Sequence, residues 1–179
     1  MKQLIITLDS QCFTYLALTF FNQKEPLGDL AQEKVALFRS FVYGEVELSI
    51  VPTVEEEWKQ IKDIAKYKQH NDVNEILIPT LSPYYSSLSS EKISLYTEKY
   101  LQYHPKKNDC KILSEAEVLN CDFFVSYDND LINRLSKVSE TSILKPKELW
   151  KMLDVPRGAK PKVIPKGENP MVNEVWWKW

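Results

Sequence analysis

The chain has 179 residues, of which 44% are apolar, 27% charged and 12% aromatic, and its formal net charge is -2. That length buries one good core and is too short for two large ones, and the near-neutral charge excludes a global basic field, so any contact with nucleic acid has to come from local patches. No apolar run approaches the roughly 20 residues a membrane span requires.

The N-terminus passes from one lysine into a β-rich run broken by Asp9, which is unlike a signal peptide. Cys12, Cys110 and Cys121 show no CxxC or Cys/His spacing of a zinc site and suit a reducing compartment, so a soluble, cytoplasmic protein is expected.

A first strand is expected over Lys2–Leu8. A helix follows from Asp9 to about Phe21, with an apolar face of Cys12, Phe13, Leu16 and Phe20, and a Pro-Gly turn region between Glu25 and Asp29 ends it. A second amphipathic helix over Leu30–Tyr43 leads through Gly44 to a strand, Val46–Val51, in which Val46, Leu48 and Ile50 alternate with polar residues. Pro52-Thr53-Val54-Glu55-Glu56 reads as a helix start with Thr53 at the N-cap and Glu56 closing a capping box, the helix continuing to Lys68.

Between Gln69 and Ser90 the pattern is least legible, with Pro79, Pro83 and runs of serine and tyrosine marking loops around Ile76-Leu77-Ile78. Glu91–Tyr103 reads as helical, His104–Asn108 breaks it, and Asp109 heads a further helix. A strand at Phe123–Ser126, a helix at Leu131–Ser136, a strand near Ser142–Leu144 and a short helix at Pro146–Leu153 complete the pattern. Strands alternating with helices predict an α/β fold with a parallel sheet covered on both faces. Residues 1–154 form this domain. Residues 155–179, rich in Pro, Lys and Trp, form a tail expected to extend the domain rather than enter its core.

Three aspartates head one repeated pattern: Asp9 before Cys12, Phe13 and Leu16, Asp109 before Ile112, Leu113 and Ala116, and Asp128 before Leu131, Ile132 and Leu135. At about 100° per residue, each carboxylate stands above an apolar helical stripe. Asp9 and Asp128 also follow β-rich runs, which puts them at the carboxyl ends of strands, where open α/β sheets bind ligands. Of the three adjacent glutamates after Pro52, Glu57 falls beside the stripe made by Val54, Trp58, Ile61 and Ala65, so it is the one expected to face the sheet edge. For any one aspartate, helix capping is an equally good reading; capping alone does not explain the set. Carboxylates gathered with little positive charge among them call for a cation.

The order and spacing of Ile5–Ser10, Val51–Trp58, Asn108–Ala116, Asp122–Leu131 and Ile143–Leu149 resemble a PIN domain, the small nuclease fold of toxin RNases and several RNA-processing enzymes. The resemblance implies a three-layer α/β/α sandwich and places the family's acidic metal ligands and catalytic residues on Asp9, Glu57, Asp109 and Asp128. Ser126 stands where a threonine is more usual and keeps a hydroxyl able to orient a ligand. An oxygen-only ligand set favours Mg²⁺ or Mn²⁺, and such ions can activate a water against a phosphodiester. The resemblance further implies an RNA substrate, products with a 5′-phosphate, a homodimer and an inhibitory antitoxin-like partner. Two departures from the compact pattern are the long segment from Lys59 to His104 and the tail.

Lys106 and Lys107 precede Asp109 and are candidates for RNA phosphate contacts, with a solvated loop as the ordinary reading. In the tail, Arg157, Lys160, Lys162 and Lys166 precede the tryptophans; such a mixture can hold single-stranded nucleic acid, although tryptophans more often pack on a core or a partner. His70 and His104 read as surface or loop residues, and Asp122 and Asp130 as strand- and helix-end residues that border the last motif and are candidates to assist a second metal. The main alternative to a nuclease is a catalytically inactive PIN-like module that binds RNA or protein. A receiver-like phosphotransfer domain, with Lys145 as its phosphate contact, is a third reading that needs fewer acids than are present.

Overall fold

Leu4–Leu8 (β1) is the apolar run LIITL, and its last three residues are buried, as a strand covered on both faces requires. The computed structural model describes residues 3–81, 90–163 and 167–179; the expected strand start at Lys2, the loop around Pro83 and the tail lysine Lys166 lie outside the described residues. β1 pairs in parallel with Val46–Ser49 (β2), Leu4 opposite Val46 and Thr7 opposite Ser49. On its other side it pairs with Phe123–Val125 (β3), Leu8 opposite Val125, and Ser142–Leu144 (β4) lies beyond β3. The sheet is parallel throughout, in the order β2-β1-β3-β4. The order reverses at β1, so the ligand crevice of such a sheet opens outside the carboxyl ends of β1 and β3.

Helices Ser10–Asn22 (α1) and Ala31–Tyr43 (α2) connect β1 to β2. Pro52–Trp58 (α3), Ile64–Ile76 (α4), Ser90–Leu101 (α5) and Lys107–Val118 (α6) connect β2 to β3. Asn129–Leu135 (α7) leads to β4, and Pro146–Met152 (α8) follows it. α2 packs on α1 and α8, while α6 packs on α3 and α5, completing the α/β/α sandwich. The core joins Ile6 and Leu8 of β1 and Phe124 of β3 to Phe13 and Leu16 of α1, Leu113 of α6 and Leu131 of α7. Cys12, Cys110 and Cys121 are free and buried, as small core residues.

The stretch after β2 departs from expectation. α3 begins at Pro52 with Val51 at its N-cap, and Thr53 does not cap it. Instead the Thr53 amide and hydroxyl both donate to Glu115 of α6, at 3.0 and 2.7 Å. Glu115 is a buried carboxylate and its need for donors outweighs a local cap. Glu56, freed from the capping box, lies 3.4 Å from Lys111. The helix also stops at Trp58 rather than Lys68, because Asp63 starts a new one by accepting from the Lys66 amide at 2.9 Å. Ile61 is only half-buried and Ala65 is exposed, so no single apolar stripe runs through both helices.

α4 spans the end of the helix expected to Lys68 and the first residues of the region that had no legible pattern, and Ile50 bridges in parallel to Thr80 just beyond β2. His70, expected at the surface, is fully buried on α4, edge-on to Phe13 and 3.0 Å from the Thr14 hydroxyl.

The tail is also not peripheral. Met171, Trp176 and Trp177 belong to the buried core. Trp176 packs on Phe38 of α2, and Trp179 stands edge-on to Trp150 of α8. Arg39 of α2 gathers the chain end by donating to the carbonyls of Trp176, Trp177 and Lys178 at 2.7, 3.3 and 3.1 Å. The Trp179 indole donates to the Val155 carbonyl at 2.7 Å, and Arg157 lies over its ring at 3.6 Å. Burial of the two indoles and bonding of the third commit these rings to packing, away from base stacking. Among the described residues no helix is long and apolar enough to cross a membrane.

Candidate active site

Asp9 leaves β1 and caps α1: its Oδ1 accepts the Cys12 amide at 2.6 Å, which satisfies one orphan donor of the helix start. Its Oδ2 accepts the hydroxyl of Ser126, which is fully buried at the end of β3. Burial pushes the Asp9 carboxyl above its usual range; the Ser126 and Cys12 hydrogen bonds offset this only in part, and the Asp109 charge adds to it. Ser126 Oγ also accepts the Asp128 amide at 3.0 Å, so one hydroxyl ties the two strand-end acids together.

Asp128 caps α7, its Oδ1 accepting the amides of Asp130 and Leu131 at 2.8 and 3.2 Å. Its Oδ2 faces Lys106 Nζ at 2.8 Å. Burial opposes its ionisation, but the Lys106 ammonium and the two amides overcome that and hold the carboxyl below its usual range. The same contact raises the Lys106 ammonium above the ordinary lysine range.

Asp109 does not head its helix. α6 starts at Lys107, and Asp109 sits in the first turn, where the helix dipole favours it. Its Oδ2 lies 2.9 Å from His104 Nε2 and 3.6 Å from Lys106 Nζ. His104, also expected at the surface, is fully buried, and its Nδ1 has no hydrogen-bond partner, the nearest acid oxygen being Asp130 Oδ2 at 3.6 Å. With a proton on Nε2, His104 donates to Asp109 and orients it. No sequence pattern announced this role: the histidine stands alone before Pro105.

Glu57 does point toward this edge. Its Oε2 accepts the Ser10 hydroxyl, and its Oε1 accepts Asn108 Nδ2 at 2.6 Å, so it sits behind Ser10 rather than in the open cavity. Lys107 is exposed on the first turn of α6. Asp122 is at the wrong end of the sheet to assist a metal: it precedes β3 and accepts the Ile5 amide at 2.8 Å. Asp130 pairs with Arg134 at 2.7 Å.

Asp9, Asp109 and Asp128 line one open cavity of about 320 Å³ together with Ser10, Gln11 and Lys106, above apolar residues that include Phe124 and Ile112. Lys145, at the N-cap of α8, is not among the residues that line it. Among the described residues no three His, Cys, Asp or Glu side chains already stand at metal-holding spacing. Each acid is turned to its own partner instead: Asp9 to Ser126, Asp109 to His104, Asp128 to Lys106 and Glu57 to Ser10. The donor set consists of carboxylate and hydroxyl oxygens, which matches hard divalent cations such as Mg²⁺ and Mn²⁺ rather than zinc.

No protein-family model matches the chain, and no curated protein does. Among solved structures, the chain is similar to VapBC2 from Rickettsia felis bound to a DNA fragment from their promoter, with a TM-score of 0.50 and 14% identity over 79% of this chain and 98% of that one. It is also similar to FitAcB from Neisseria gonorrhoeae, with a TM-score of 0.47 and 13% identity over 79% of this chain and 97% of that one. At such identity the VapBC2 likeness shows a shared fold.

Proposed function

We propose that the protein is a metal-dependent endoribonuclease of the PIN type. One observation carries this reading: three aspartates from separate parts of the chain meet in one open cavity at the carboxyl edge of a parallel sheet. Asp9, Asp109 and Asp128 would hold Mg²⁺ or Mn²⁺, with Glu57 completing the acidic set from behind Ser10. The ion, when bound, supplies Lewis-acid activation of water and charge stabilisation at the phosphodiester. Ser126 keeps Asp9 and Asp128 in register, His104 orients Asp109, and Lys106 and Lys107 offer positive charge to the RNA backbone. RNA as substrate, a 5′-phosphate product, a homodimer and an antitoxin-like inhibitor follow from the sequence resemblance. The fold likeness to VapBC2 supports the toxin-antitoxin setting.

The experiment is incubation of purified protein and Asp9→Asn with end-labelled single-stranded RNA in Mn²⁺, in Mg²⁺ and in chelator. Metal-dependent cleavage lost in the variant upholds the reading. Absence of cleavage with retained RNA binding favours a silent binding module, a second reading to which the individually partnered acids lend weight.

A further inference from the structure

Among the described residues, the cation lining the acid cavity is Lys106. Its Nζ lies 2.8 Å from Asp128 Oδ2 and 3.6 Å from Asp109 Oδ2, bridging acids carried by α7 and α6. The contacted oxygen of Asp128 is the one left over from capping, since its partner oxygen holds two amides of α7. Asp109 Oδ2 is shared with His104. The ammonium therefore sits on oxygens that a divalent cation at these acids would need. With its side chain 59% exposed, the pair is readily displaced. The lysine backbone, at the N-cap position of α6, stays on the cavity rim wherever the four-carbon stem swings.

We propose that Lys106 is an exchangeable counter-ion of the site. It holds Asp109 and Asp128 together in metal-free protein, competes with a divalent cation for their oxygens, and on displacement contacts a phosphate of the bound RNA. This rests on the metal-dependent reading above and adds that the chain carries its own competitor for the metal.

The test is calorimetric titration of MnCl₂ at low ionic strength into wild type, Lys106→Met, Lys106→Gln and Asp128→Asn, followed by single-stranded RNA binding with Ca²⁺ present. Removing the competing unit charge is expected to tighten Mn²⁺ binding about tenfold in both lysine variants, an advantage that salt erodes. Asp128→Asn weakens Mn²⁺ binding, and RNA affinity falls in the lysine variants. Opposite movement of the two affinities is what a merely structural lysine would not produce. Unchanged or weaker Mn²⁺ binding in both lysine variants, with wild type binding and Asp128→Asn impaired, overturns the proposal and leaves the metal reading standing. Unchanged RNA affinity overturns the phosphate contact. Absence of Mn²⁺ binding in every protein, lysine variants included, overturns both.

Discussion

The Ser126 hydroxyl donates to Asp9 while its oxygen accepts the Asp128 amide at 3.0 Å, so one buried hydroxyl sets the spacing of two acids. Ser126→Ala removes both contacts from a fully buried position. Loss of such a supporting hydroxyl is expected to lower metal affinity or cleavage by about 10- to 100-fold. Ser126→Thr retains the oxygen and should retain activity. Equal rates for wild type and a folded Ser126→Ala would show that the acids hold their spacing unaided.

Asp9→Asn is expected to abolish cleavage and, in chelator, to leave a protein more stable than wild type at pH 7. The folded Asp9 carboxyl is raised by burial, so its neutral form is the one the fold favours. Its stabilising contribution is complete below the unfolded value of about 3.9 and is lost as pH rises through the higher folded value. Asparagine keeps a carbonyl for the Cys12 amide, can present its amide to Ser126 Oγ, and caps as well as aspartate. The advantage should vanish below about pH 4. Thermal melts at pH 3.5 and pH 7 measure it, and a variant less stable at both would refute the burial argument.

His104→Ala should cost about 2–3 kcal/mol in urea unfolding, because it removes a fully buried side chain and a hydrogen bond to a carboxylate. Its effect on catalysis should fall on kcat rather than KM, since the residue acts through Asp109. His104→Gln keeps an N–H donor and is expected to restore part of kcat. A loss of stability with kcat intact would reduce the residue to a packing role.

Arg39→Ala should destabilise the fold by about 2 kcal/mol, the scale of charge-assisted hydrogen bonds, three of which it makes to the chain end. Cleavage should be unaffected. The near-ultraviolet dichroism of the tail tryptophans reports whether they have left α2, and an unchanged spectrum and urea midpoint would mean that the indoles hold the tail without the guanidinium.

Asp9 and Asp128 were legible in the sequence because their signal is local: each follows a β-rich run and precedes an apolar helical stripe, and each proves to cap its helix. The parallel sheet followed from strands alternating with helices, whereas the stripe used to place Glu57 ends with its helix at Trp58. Thr53 misled because its partner, Glu115, lies 62 residues away and outcompetes the local cap. The part of α4 beyond Lys68 was hidden by the helix's sparse burial, with His70 and Val73 as its buried residues, which leaves no stripe to read. His104 had no motif around it, since its partner is itself a site acid. The docking of the tail was invisible for a different reason: Arg39 grips main-chain carbonyls, which every residue possesses.

α3 and α6 are fastened to each other at three places, through Thr53 with Glu115, Glu57 with Asn108 and Glu56 with Lys111. The chain between them starts and ends at this clamp, and its helices pack back on the domain, α4 through His70 on Phe13 and α5 on α6. Closing a flexible loop costs only about 0.6 kcal/mol more for each doubling of its length. Growth is accordingly best tolerated at the exposed turn around Lys62, between α3 and α4, where grafted sequence would reach solvent while the clamped helices keep the acids in their places.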